Sequence, residues 1–423
     1  MAQTPDPRLA PRTAAALGRL YDWIVQHGWA GYDPYDLHHW RLQLPGWADR
    51  ITLRGHSPFG LPAHLAERWP LLVRRLLRLP RRIYPKALGL LADGFLRLPA
   101  LLPDRPEARL LADEALRWLL AHPAPGYRGL GWGLPIDWQS RQRVPAGTPC
   151  GIVSVICGEA FWRQYEDGGE ARWLDHCLGV CRGFTEDLHI DRVGPDAICF
   201  SFTPLDRFHV HNPNLWIGAY LVKIGQAAHR PDLVDLGVQA GNYALQDLRP
   251  EGYLTYWGQD QDTTGAHDAY HSGFEIRGLD SLARLTGDPR FRQAADRYLR
   301  YYAAHFFGPA GEPWRNPDDP TRIDVHGCAE ALLCTAQLAA TLPEAGALLA
   351  RTLDWILREL PRPDGAFPYK LVRTRGGLRR VEIAYLRWGQ AWMLRGLVAA
   401  LERLRAPDPA RAPGDVAPEG QSP

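Results

Sequence analysis

The sequence predicts an all-α protein folded as an (α/α)6 toroid, a closed ring of six helical hairpins. Apolar residues recur with a helical period along most of the 423 residues, and strand-like alternation is scarce. Proline and glycine breaks join the predicted helices in pairs. The pairs begin every roughly 55–65 residues, a longer interval than the roughly 34–47 residues of common helical solenoid repeats. Hairpins of this length favour a closed ring, in which the first helix of each pair lines the inside.

Local start and stop signals place the individual helices. Pro11 suits the first turn of a helix, the breaks at His229–Asp232 and Gly287–Pro289 separate paired helices, and Pro407 must end the last one. We expect helices near residues 10–27, 62–79, 85–100, 106–121, 150–166, 170–187, 212–228, 231–247, 269–286, 289–306, 325–341, 343–359 and 381–404. The hairpins then begin near residues 85, 150, 212, 269, 325 and 381.

Three regions follow from this pattern. Residues 1–60 hold an N-terminal helix and an aromatic-rich strap, and residues 61–404 form the toroid with the catalytic residues. The Pro-, Ala- and Gly-rich residues 405–423 form a disordered tail. The turn at Gly31–Asp36 either caps the mouth of the ring and supplies Asp33, Tyr35 or Asp36 to a site, or only packs the strap.

Composition narrows the class of protein. The net charge of +2 gives no electrostatic case for nucleic acid. Seven cysteines without CxxC spacing argue against a disulfide framework or a zinc site and favour a reducing compartment.

Without a signal-peptide pattern or an apolar run of membrane length, we expect a cytoplasmic protein. The basic amphipathic stretch Leu71–Arg82 is typical of an outer helix and would also suit peripheral membrane contact. The oligomeric state stays open.

Polar clusters precede alternate predicted helices, the ones that would line the ring. The densest cluster, Gly258–Phe274, carries three carboxylates, two imidazoles and a phenol beside a helix start. A core has no need for that many ionisable groups, because buried ones are unfavourable unless they are paired. Helix N-termini also present free N–H groups and a partial positive charge, so this mouth of the ring should favour an anionic ligand such as a carboxylate.

The side chains in these clusters suit general acid–base chemistry on a sugar. The predicted catalytic residues are Asp268, Tyr270, His271, Asp206, His211, Asp324 and His326. The predicted substrate-binding residues are Asp137, Trp138, Gln139, Arg141, Tyr256, Asp262, His267, Arg322, Arg379, Tyr385 and Trp388. Three of these are arginines that would clamp a carboxylate. We expect one shared cavity to be faced by Asp137, Asp206, His211, Asp268, His271, Asp324 and His326. Structural alternatives stand beside these roles: Asp268 and Asp324 would serve as helix N-caps, and His209 or His211 as a hydrogen-bonding core residue.

No metal and no cofactor are predicted. Asp260 and Asp262 begin a calcium-loop pattern, but His271 stands where the closing carboxylate belongs. His267 and His271 have the spacing of zinc ligands on one helix face without the expected Glu between them. The sequence contains neither a Walker A loop nor a dinucleotide fingerprint.

Five short motifs stand in order along the chain. They are Gly31-Tyr-Asp-Pro-Tyr-Asp36, Tyr84-Pro-Lys-Ala-Leu-Gly89, Asp137-Trp-Gln-Ser-Arg141, Thr203-Pro-Leu-Asp206 with His211-Asn212, and Tyr270-His-Ser-Gly-Phe274. Together they resemble a toroid family of bacterial and archaeal proteins associated with surface-polysaccharide loci, over roughly residues 30–400. Some members carry the label δ-aminolevulinic acid dehydratase. That enzyme is an α/β barrel with a lysine Schiff base, whereas this chain is predicted to be helical and none of its three lysines lies in a polar cluster.

The motif Asp268-Ala-Tyr-His271 resembles, more weakly, one in the helical C-terminal domain of D-glucuronyl C5-epimerases, where it also opens an inner helix. This resemblance implies that a proton is removed beside a uronate carboxylate and returned on the other face. The reaction needs two acid–base groups and cationic or N–H support for the enolate. Unsaturated glucuronyl hydrolases share the toroid and use Asp-based acid–base chemistry, so hydrolysis stays open.

We therefore expect an enzyme of polysaccharide biosynthesis or modification that acts on an acidic, uronate-containing glycan. C5-epimerase-like proton transfer is our first hypothesis for the reaction, and a hydrolase or lyase reaction is the second. Sixteen Trp and sixteen Tyr suit a sugar-binding cleft as well as a large aromatic core. Two other classes stay open. A terpenoid cyclase-like toroid would need an apolar pocket and a better acidic motif than Asp260–Asp262. A non-catalytic glycan-binding scaffold would tolerate loss of Asp268 or His271.

Overall fold

Fourteen α-helices account for most of the described chain, residues 6–42 and 67–406 of this computed structural model. They are α1 Leu9–His27, α2 Asp36–Leu42, α3 Pro70–Leu76, α4 Pro85–Leu101, α5 Ala108–Ala121, α6 Gly151–Gly168, α7 Ala171–Arg182, α8 His211–Ala227, α9 Pro231–Asp247, α10 Ala269–Thr286, α11 Pro289–His305, α12 Val325–Leu338, α13 Pro343–Glu359 and α14 Ala391–Arg405. The π-helical turn Gly183–Asp187 follows α7, and a second one, Leu386–Gln390, leads into α14.

Six of these helices form an inner ring. Helices α4, α6, α8, α10, α12 and α14 each contact the next in this order, and α14 contacts α4, so the ring is closed. An outer helix follows each of the first five along the chain and packs against it: α5, α7, α9, α11 and α13. Helix α1 packs against α14 and α13 and takes the sixth outer position. The predicted (α/α)6 toroid is therefore confirmed.

The two rings differ in how much of each helix is buried. Every residue of inner helix α12 except Gln337 is buried. Outer helix α11 instead buries one stripe, whose members Phe291, Ala294, Ala295, Tyr298, Leu299 and Tyr302 lie three or four residues apart. A helix with a single apolar stripe suits a position with one face in solvent, whereas a helix buried all round must lie inside.

Helix α1 is held by a stripe of the same kind. Leu17, Leu20 and Ile24 are fully buried, and each contributes about 1.5–3 kcal/mol to stability through the apolar surface removed from water. The sequence analysis assigned this helix to the N-terminal region 1–60. The division into three regions stays a prediction, because its boundary near residue 60 and the tail beyond residue 406 lie outside the described residues.

The strands of the described chain are short and lie in the connections between helices. They are β1 Ala30–Gly31, β2 Arg82–Ile83, β3 Trp138–Gln139, β4 Arg143–Val144, β5 Ile190–Arg192, β6 Ile198–Phe200, β7 Arg322–Asp324, β8 Lys370–Thr374 and β9 Gly377–Val381. Three antiparallel pairs, β1–β2, β3–β4 and β5–β6, accompany one three-stranded antiparallel sheet ordered β7-β8-β9. Strand β7 runs directly into α12, so this sheet fixes where that inner helix begins.

Two predicted helices are wrong in extent. The helix expected over 62–79 is α3, Pro70–Leu76, with residues 62–66 outside the described chain. The helix expected from residue 381 begins only after Tyr385, because Arg379 and Arg380 belong to β9. Residues 370–381 form a hairpin whose second strand begins at Gly377 with a φ of 106°, a backbone conformation that glycine adopts without strain.

Candidate functional site

The N-terminal ends of α10 and α12 and the turn before α14 meet inside one mouth of the ring. Asp268 caps α10 by accepting a hydrogen bond from the His271 backbone N–H at 3.1 Å. Asp324 caps α12 by accepting one from the His326 backbone N–H at 3.0 Å. Both residues therefore have the capping role that the sequence left as an alternative. Because each cap fixes the first helical turn, it also fixes where the residues that follow point.

Asp268 and His271 form a hydrogen-bonded pair through their side chains. His271 Nδ1 lies 3.1 Å from Asp268 Oδ2, and His271 Nε2 has no partner in the part of the chain that the structure describes. Burial alone would raise the pKa of Asp268, but the His271 ring, its N–H groups and Arg315 outweigh burial and lower the pKa. An ionised Asp268 favours the tautomer with the proton on Nδ1, which leaves the Nε2 lone pair free to accept a proton.

Two phenols lie beside this imidazole. The ring centroid of Tyr270 is 3.9 Å from that of His271, and the Tyr256 centroid is 4.5 Å from it. Burial raises the pKa of both phenols above the usual range, and the charges of Asp268 and Tyr35 raise both further. Neither hydroxyl has a hydrogen-bond partner among the described residues. At neutral pH both phenols are therefore proton donors and not bases.

His326 lies flat between two other rings from neighbouring inner helices. Its centroid is 4.5 Å from that of Tyr270 at an interplanar angle of 11°, and 4.9 Å from that of Trp392 at 25°. Neither ring nitrogen has a partner in the described chain. Burial holds the pKa of His326 well below its usual value, and the charges of Lys86 and Arg387 add to this effect. His326 is therefore a neutral imidazole whose two nitrogens are available to a ligand.

Asp324 is buried and connects α12 to the turn before α14. Trp388 Nε1 donates to Asp324 Oδ1 at 2.8 Å, and Arg315 Nη1 lies 3.6 Å from Oδ2. Burial raises the pKa of Asp324, although Arg315 and Trp388 oppose the shift. Arg315 also acts electrostatically on Asp268. Sequence analysis missed Arg315 because it stands in the connection between α11 and β7, where no helix start marks it.

Lys86 lies in the floor of the same mouth. Its Nζ is 5.3 Å from the Trp392 ring centroid and 5.6 Å from that of Phe274, and it has no ion pair in the described chain. Burial, followed by the Arg387 charge, lowers the pKa of Lys86 to about 7. The polar clusters of the sequence are runs of neighbours along the chain, whereas the rings beside Lys86 come from α10 and α14, remote in sequence.

The turn at Gly31–Asp36 also enters this mouth. Asp33 binds Arg387 through two hydrogen bonds, Nε to Oδ2 at 2.6 Å and Nη2 to Oδ1 at 2.7 Å, and both residues are buried. Tyr35 meets Trp388 edge to face with centroids 5.8 Å apart. The segment therefore packs across the mouth and brings Asp33 and Tyr35 to the residues described above.

Three predicted catalytic or binding residues bond elsewhere. Asp206 accepts hydrogen bonds from backbone N–H groups of its own loop, at Phe202, Thr203 and Phe208. His211 Nε2 lies 3.1 Å from Asp247 on outer helix α9. Asp137 binds Arg143 at 2.5 Å. The structure brings Asp268, His271, Asp324 and His326 close together, whereas these three side chains contact other groups. Position at a helix start does not decide which way a side chain turns.

The predicted arginines lie on connections around the mouth. The Arg141 guanidinium lies over the Trp257 ring at 3.8 Å and donates to the Gln261 carbonyl at 2.7 Å. Arg322 lies on β7 and Arg379 on β9, and Arg379 Nη2 is 3.5 Å from Glu67. Their role in binding a carboxylate stays a prediction.

The remaining predicted residues are spread over the connections. Trp138 meets Phe202 edge to face at 5.7 Å, Gln139 is exposed, Asp262 accepts from the Thr264 and Gly265 N–H groups, and Tyr385 is buried against Tyr369 at 5.0 Å. His267 stacks on Tyr253 at 4.5 Å. The expectation that His267 shares a helix face with His271 is wrong, because α10 begins only at Ala269.

No group of three or more His, Cys, Asp or Glu side chains in the described residues is arranged to hold a metal ion. Among the helices the structure describes, none is long and apolar enough to cross a membrane.

Several solved structures of sugar-processing proteins have the same ring architecture. A cellobiose 2-epimerase from Bacillus thermoamylovorans superposes with a TM-score of 0.60 at 12% identity, covering 76% of this chain and 88% of that one. An unsaturated glucuronyl hydrolase specific for heparin superposes with a TM-score of 0.58 at 13% identity, covering 93% of this chain and 97% of that one. A polysaccharide lyase superposes with a TM-score of 0.54 at 12% identity, covering 85% of this chain and 98% of that one. No family model and no curated protein matches the sequence. At these identities the likeness establishes the fold alone.

Proposed function

We propose that this protein is an enzyme that transfers a proton at the carbon beside the carboxylate of a uronate-containing glycan, as in C5 epimerisation. The observation that carries the proposal is the Asp268–His271 pair, whose imidazole has a free Nε2 and lies within 4.5 Å of two phenol rings. A base held by a carboxylate next to a neutral acid is the minimum equipment for removing a proton and returning one.

The residues then have distinct roles. His271 Nε2 takes the proton from C5, the electron pair of the broken C–H bond moves into the carboxylate to give an enolate, and Asp268 stabilises the imidazolium. Tyr270 donates its phenolic proton to C5 from the other face, and the enolate electrons form the new C–H bond. Exchange with solvent then removes the proton from His271 and returns one to Tyr270. The raised pKa of Tyr270 keeps its hydroxyl protonated before the reaction, which is the state that a proton donor needs.

Cationic groups at the mouth support an acidic substrate. Lys86 is buried without an ion pair in the described chain, and Arg315 carries charge next to Asp268 and Asp324. A substrate carboxylate near these side chains would offset the unfavourable burial of charge and would hold the enolate that forms. The names of the cellobiose 2-epimerase and the glucuronyl hydrolase that share the fold support a sugar as the substrate class. The motif resemblance supports polysaccharide biosynthesis or modification as the setting.

The test is to incubate the protein with several uronate polymers in deuterated water and to follow C5 by NMR. Deuterium should appear at C5 with the wild type and not with His271→Ala. His305→Ala removes a half-exposed histidine that pairs with Asp318 and is the matched control. The proposal fails if no polymer exchanges C5 protons, or if His271→Ala exchanges them as fast as His305→Ala.

The second candidate function is hydrolysis of a glycosidic bond, and the observation that favours it is the environment of Asp324. Its raised pKa and its buried Oδ2 without a hydrogen-bond partner in the described chain suit a carboxylic acid that protonates a leaving group. In the same incubation, hydrolysis gives new reducing ends without deuterium at C5, and Asp324→Asn should abolish them.

A further inference from the structure

A cavity lies at the end of the ring opposite to the candidate site. Its volume is about 410 Å³, and all six inner helices contribute to its wall. The contributed residues come from the middle and later turns of most of these helices, for example Arg97 on α4, Glu166 on α6 and Leu285 on α10. A volume of this order falls within the roughly 300–1,000 Å³ typical of small-molecule sites.

Charged side chains dominate the wall of this cavity. Six cationic side chains, Arg97, Arg163, Lys223, Arg277, Arg284 and Arg395, face it with three carboxylates, Asp93, Glu159 and Glu166. Carboxylates behind the wall pair with three of the cations: Glu330 with Arg277, Asp280 with Arg284 and Glu402 with Arg97. Lys223 pairs with Glu159 and Arg163 pairs with Glu166, so Arg395 is the cation of this wall whose ion pair in the described chain is with Asp93 alone.

Asp93 is shared by three guanidinium groups. Arg395 Nη2 lies 2.6 Å from it, Arg97 Nε 3.1 Å and Arg163 Nε 3.6 Å. Arg395 Nη1 is buried and has no acceptor in the described chain. Burial lowers the pKa of Arg395 to about 10, and the neighbouring charge of Arg97 contributes, although Asp93 opposes the shift. Asp93 leaves the Nη1 of Arg395 without an acceptor, so a bound anion would supply a charge-assisted hydrogen bond to it.

Indole rings supply the apolar part of the wall. Trp162, Trp216 and Trp392 all line the cavity. The Trp216 ring is fixed by a hydrogen bond from its Nε1 to the Phe274 carbonyl at 2.9 Å, and Arg277 lies over it at 4.7 Å. Trp392 also stacks on His326 and so separates this cavity from the candidate site. Aromatic faces of this kind stack on the apolar faces of sugar rings.

We propose that this cavity binds a small sugar that carries an oxyanion, a phosphate or a carboxylate, at a site separate from the one that carries the proposed reaction. Arg395 and Arg163 hold the oxyanion beside Asp93, and the indole rings pack against the sugar. The inference rests on the cavity, its arginines and its tryptophans, and does not depend on the proposed reaction.

Calorimetric titration of the full chain tests the proposal with four probes: glucose 6-phosphate, glucuronate, inorganic phosphate and glucose. The first two separate the phosphate and carboxylate sources of the oxyanion, and at least one should bind more tightly than both phosphate and glucose. Arg395→Gln and Arg163→Gln should each weaken that binding by about tenfold or more, the typical effect of losing a charged hydrogen bond. His271→Ala and Arg315→Gln, at the other mouth, should leave it unchanged.

Hydrogen exchange locates the ligand independently. Residues 156–166 and 392–397 should gain protection, and residues 268–271 should not. Arg163 is a quarter exposed and pairs with Glu166 at 3.1 Å, so its replacement should disturb folding less than that of Arg395. If Arg395→Gln does not fold, Arg163→Gln is the variant that tests the proposal. The proposal is overturned if no anion binds at about 10 mM, far weaker than the μM–mM range typical of small ligands. It is also overturned if glucose or phosphate alone binds as tightly as the anionic sugars, or if His271→Ala weakens binding and Arg163→Gln does not.

Discussion

Several polar atoms at the candidate site have no partner in the described chain. They include the Nε2 of His271, both ring nitrogens of His326 and the Nζ of Lys86. Leaving a buried polar group unpaired is unfavourable by about 1–3 kcal/mol, so a fold selected for stability alone would not collect such groups in one place. At the scale of single residues, the position of these unpaired groups beside a carboxylate–imidazole pair marks the site as a functional candidate.

Loss of the two proton-transfer groups should lower the rate and not the stability. We expect Tyr270→Phe and His271→Ala to reduce turnover by about 10²–10⁴, with the thermal midpoint within a few degrees of the wild type. Tyr253→Phe, in the stack around His267, is the control for removing a phenol. Wild-type turnover in both site variants would reject the catalytic role. Loss of folding together with turnover would assign a structural role, and weakened glycan binding without any reaction in any variant would favour a binding scaffold.

Lys86 should make stability depend on pH in the alkaline range. Because its folded pKa is lowered to about 7, the penalty for burying it is fully present below pH 7. The penalty disappears as the pH rises toward the unfolded value of about 10.4, since each pKa unit corresponds to about 1.4 kcal/mol. Lys86→Met should therefore gain several kcal/mol over the wild type at pH 6 and much less at pH 9.

Chemical denaturation at several pH values measures this difference. Lys223→Met is the control for deleting a lysine as such, since Lys223 is paired with Glu159 at 2.5 Å. A stability difference between Lys86→Met and the wild type that is the same at pH 6 and pH 9 would contradict the prediction.

At the scale of the elements, an aspartate that caps an outer helix has one role, whereas an aspartate that caps an inner helix has two. Asp288 caps outer helix α11 by accepting from the Arg290 N–H at 2.8 Å, at the surface of the ring. Asp268 caps inner helix α10 in the same way, but its second oxygen holds His271. The same local motif thus has a stabilising role at the outer position and an additional positioning role at the inner one.

Two substitutions separate these roles. Asp268→Asn keeps a good N-cap and removes the charge that stabilises an imidazolium, so turnover should fall by about 10² or more while the free energy of unfolding changes by less than about 1 kcal/mol. Asp288→Ala should lose about 1 kcal/mol of stability and keep full turnover. Activity assays beside denaturation curves measure both quantities. Equal effects of the two substitutions on turnover would show that Asp268 is only a cap.

At the scale of the whole molecule, the ring depends on a contact between the start of the chain and a distant turn. Gly365 has a φ of 89°, and a Cβ built on it would lie 2.7 Å from the Arg19 carbonyl oxygen of α1. A side chain at residue 365 would therefore push α1 away from the ring. Gly377 also has a positive φ, 106°, but no atom lies within 4 Å of a Cβ built on it. An alanine there would strain the backbone as at residue 365 without meeting another part of the chain.

The pair Gly365→Ala and Gly377→Ala measures how much α1 contributes. Gly377→Ala should cost about 1–2 kcal/mol from the left-handed backbone alone. Gly365→Ala should cost more, because it also displaces α1 and its buried leucines, each worth about 2–5 kcal/mol on truncation to alanine. Thermal unfolding checks the order. Equal losses would mean that α1 adjusts without penalty.

The sequence by itself determined the helices and their pairing. Helical period and the proline and glycine breaks are local signals, so α9, α10, α11 and α13 begin within a residue of the predicted positions. The spacing of the pairs then gave a closed ring, since hairpins longer than solenoid repeats favour it. Asp268 and Asp324 were also placed correctly at helix starts, because capping is a property of a few consecutive residues.

Only the tertiary structure decided which side chains meet. Asp33 and Arg387 stand 354 positions apart, Lys86 finds its aromatic neighbours on α10 and α14, and α1 completes the outer ring from the start of the chain. His211 turns to Asp247 and away from the residues that gather at the mouth. The direction of a side chain at a helix start depends on how distant helices pack around it, and no periodicity within one segment contains that information.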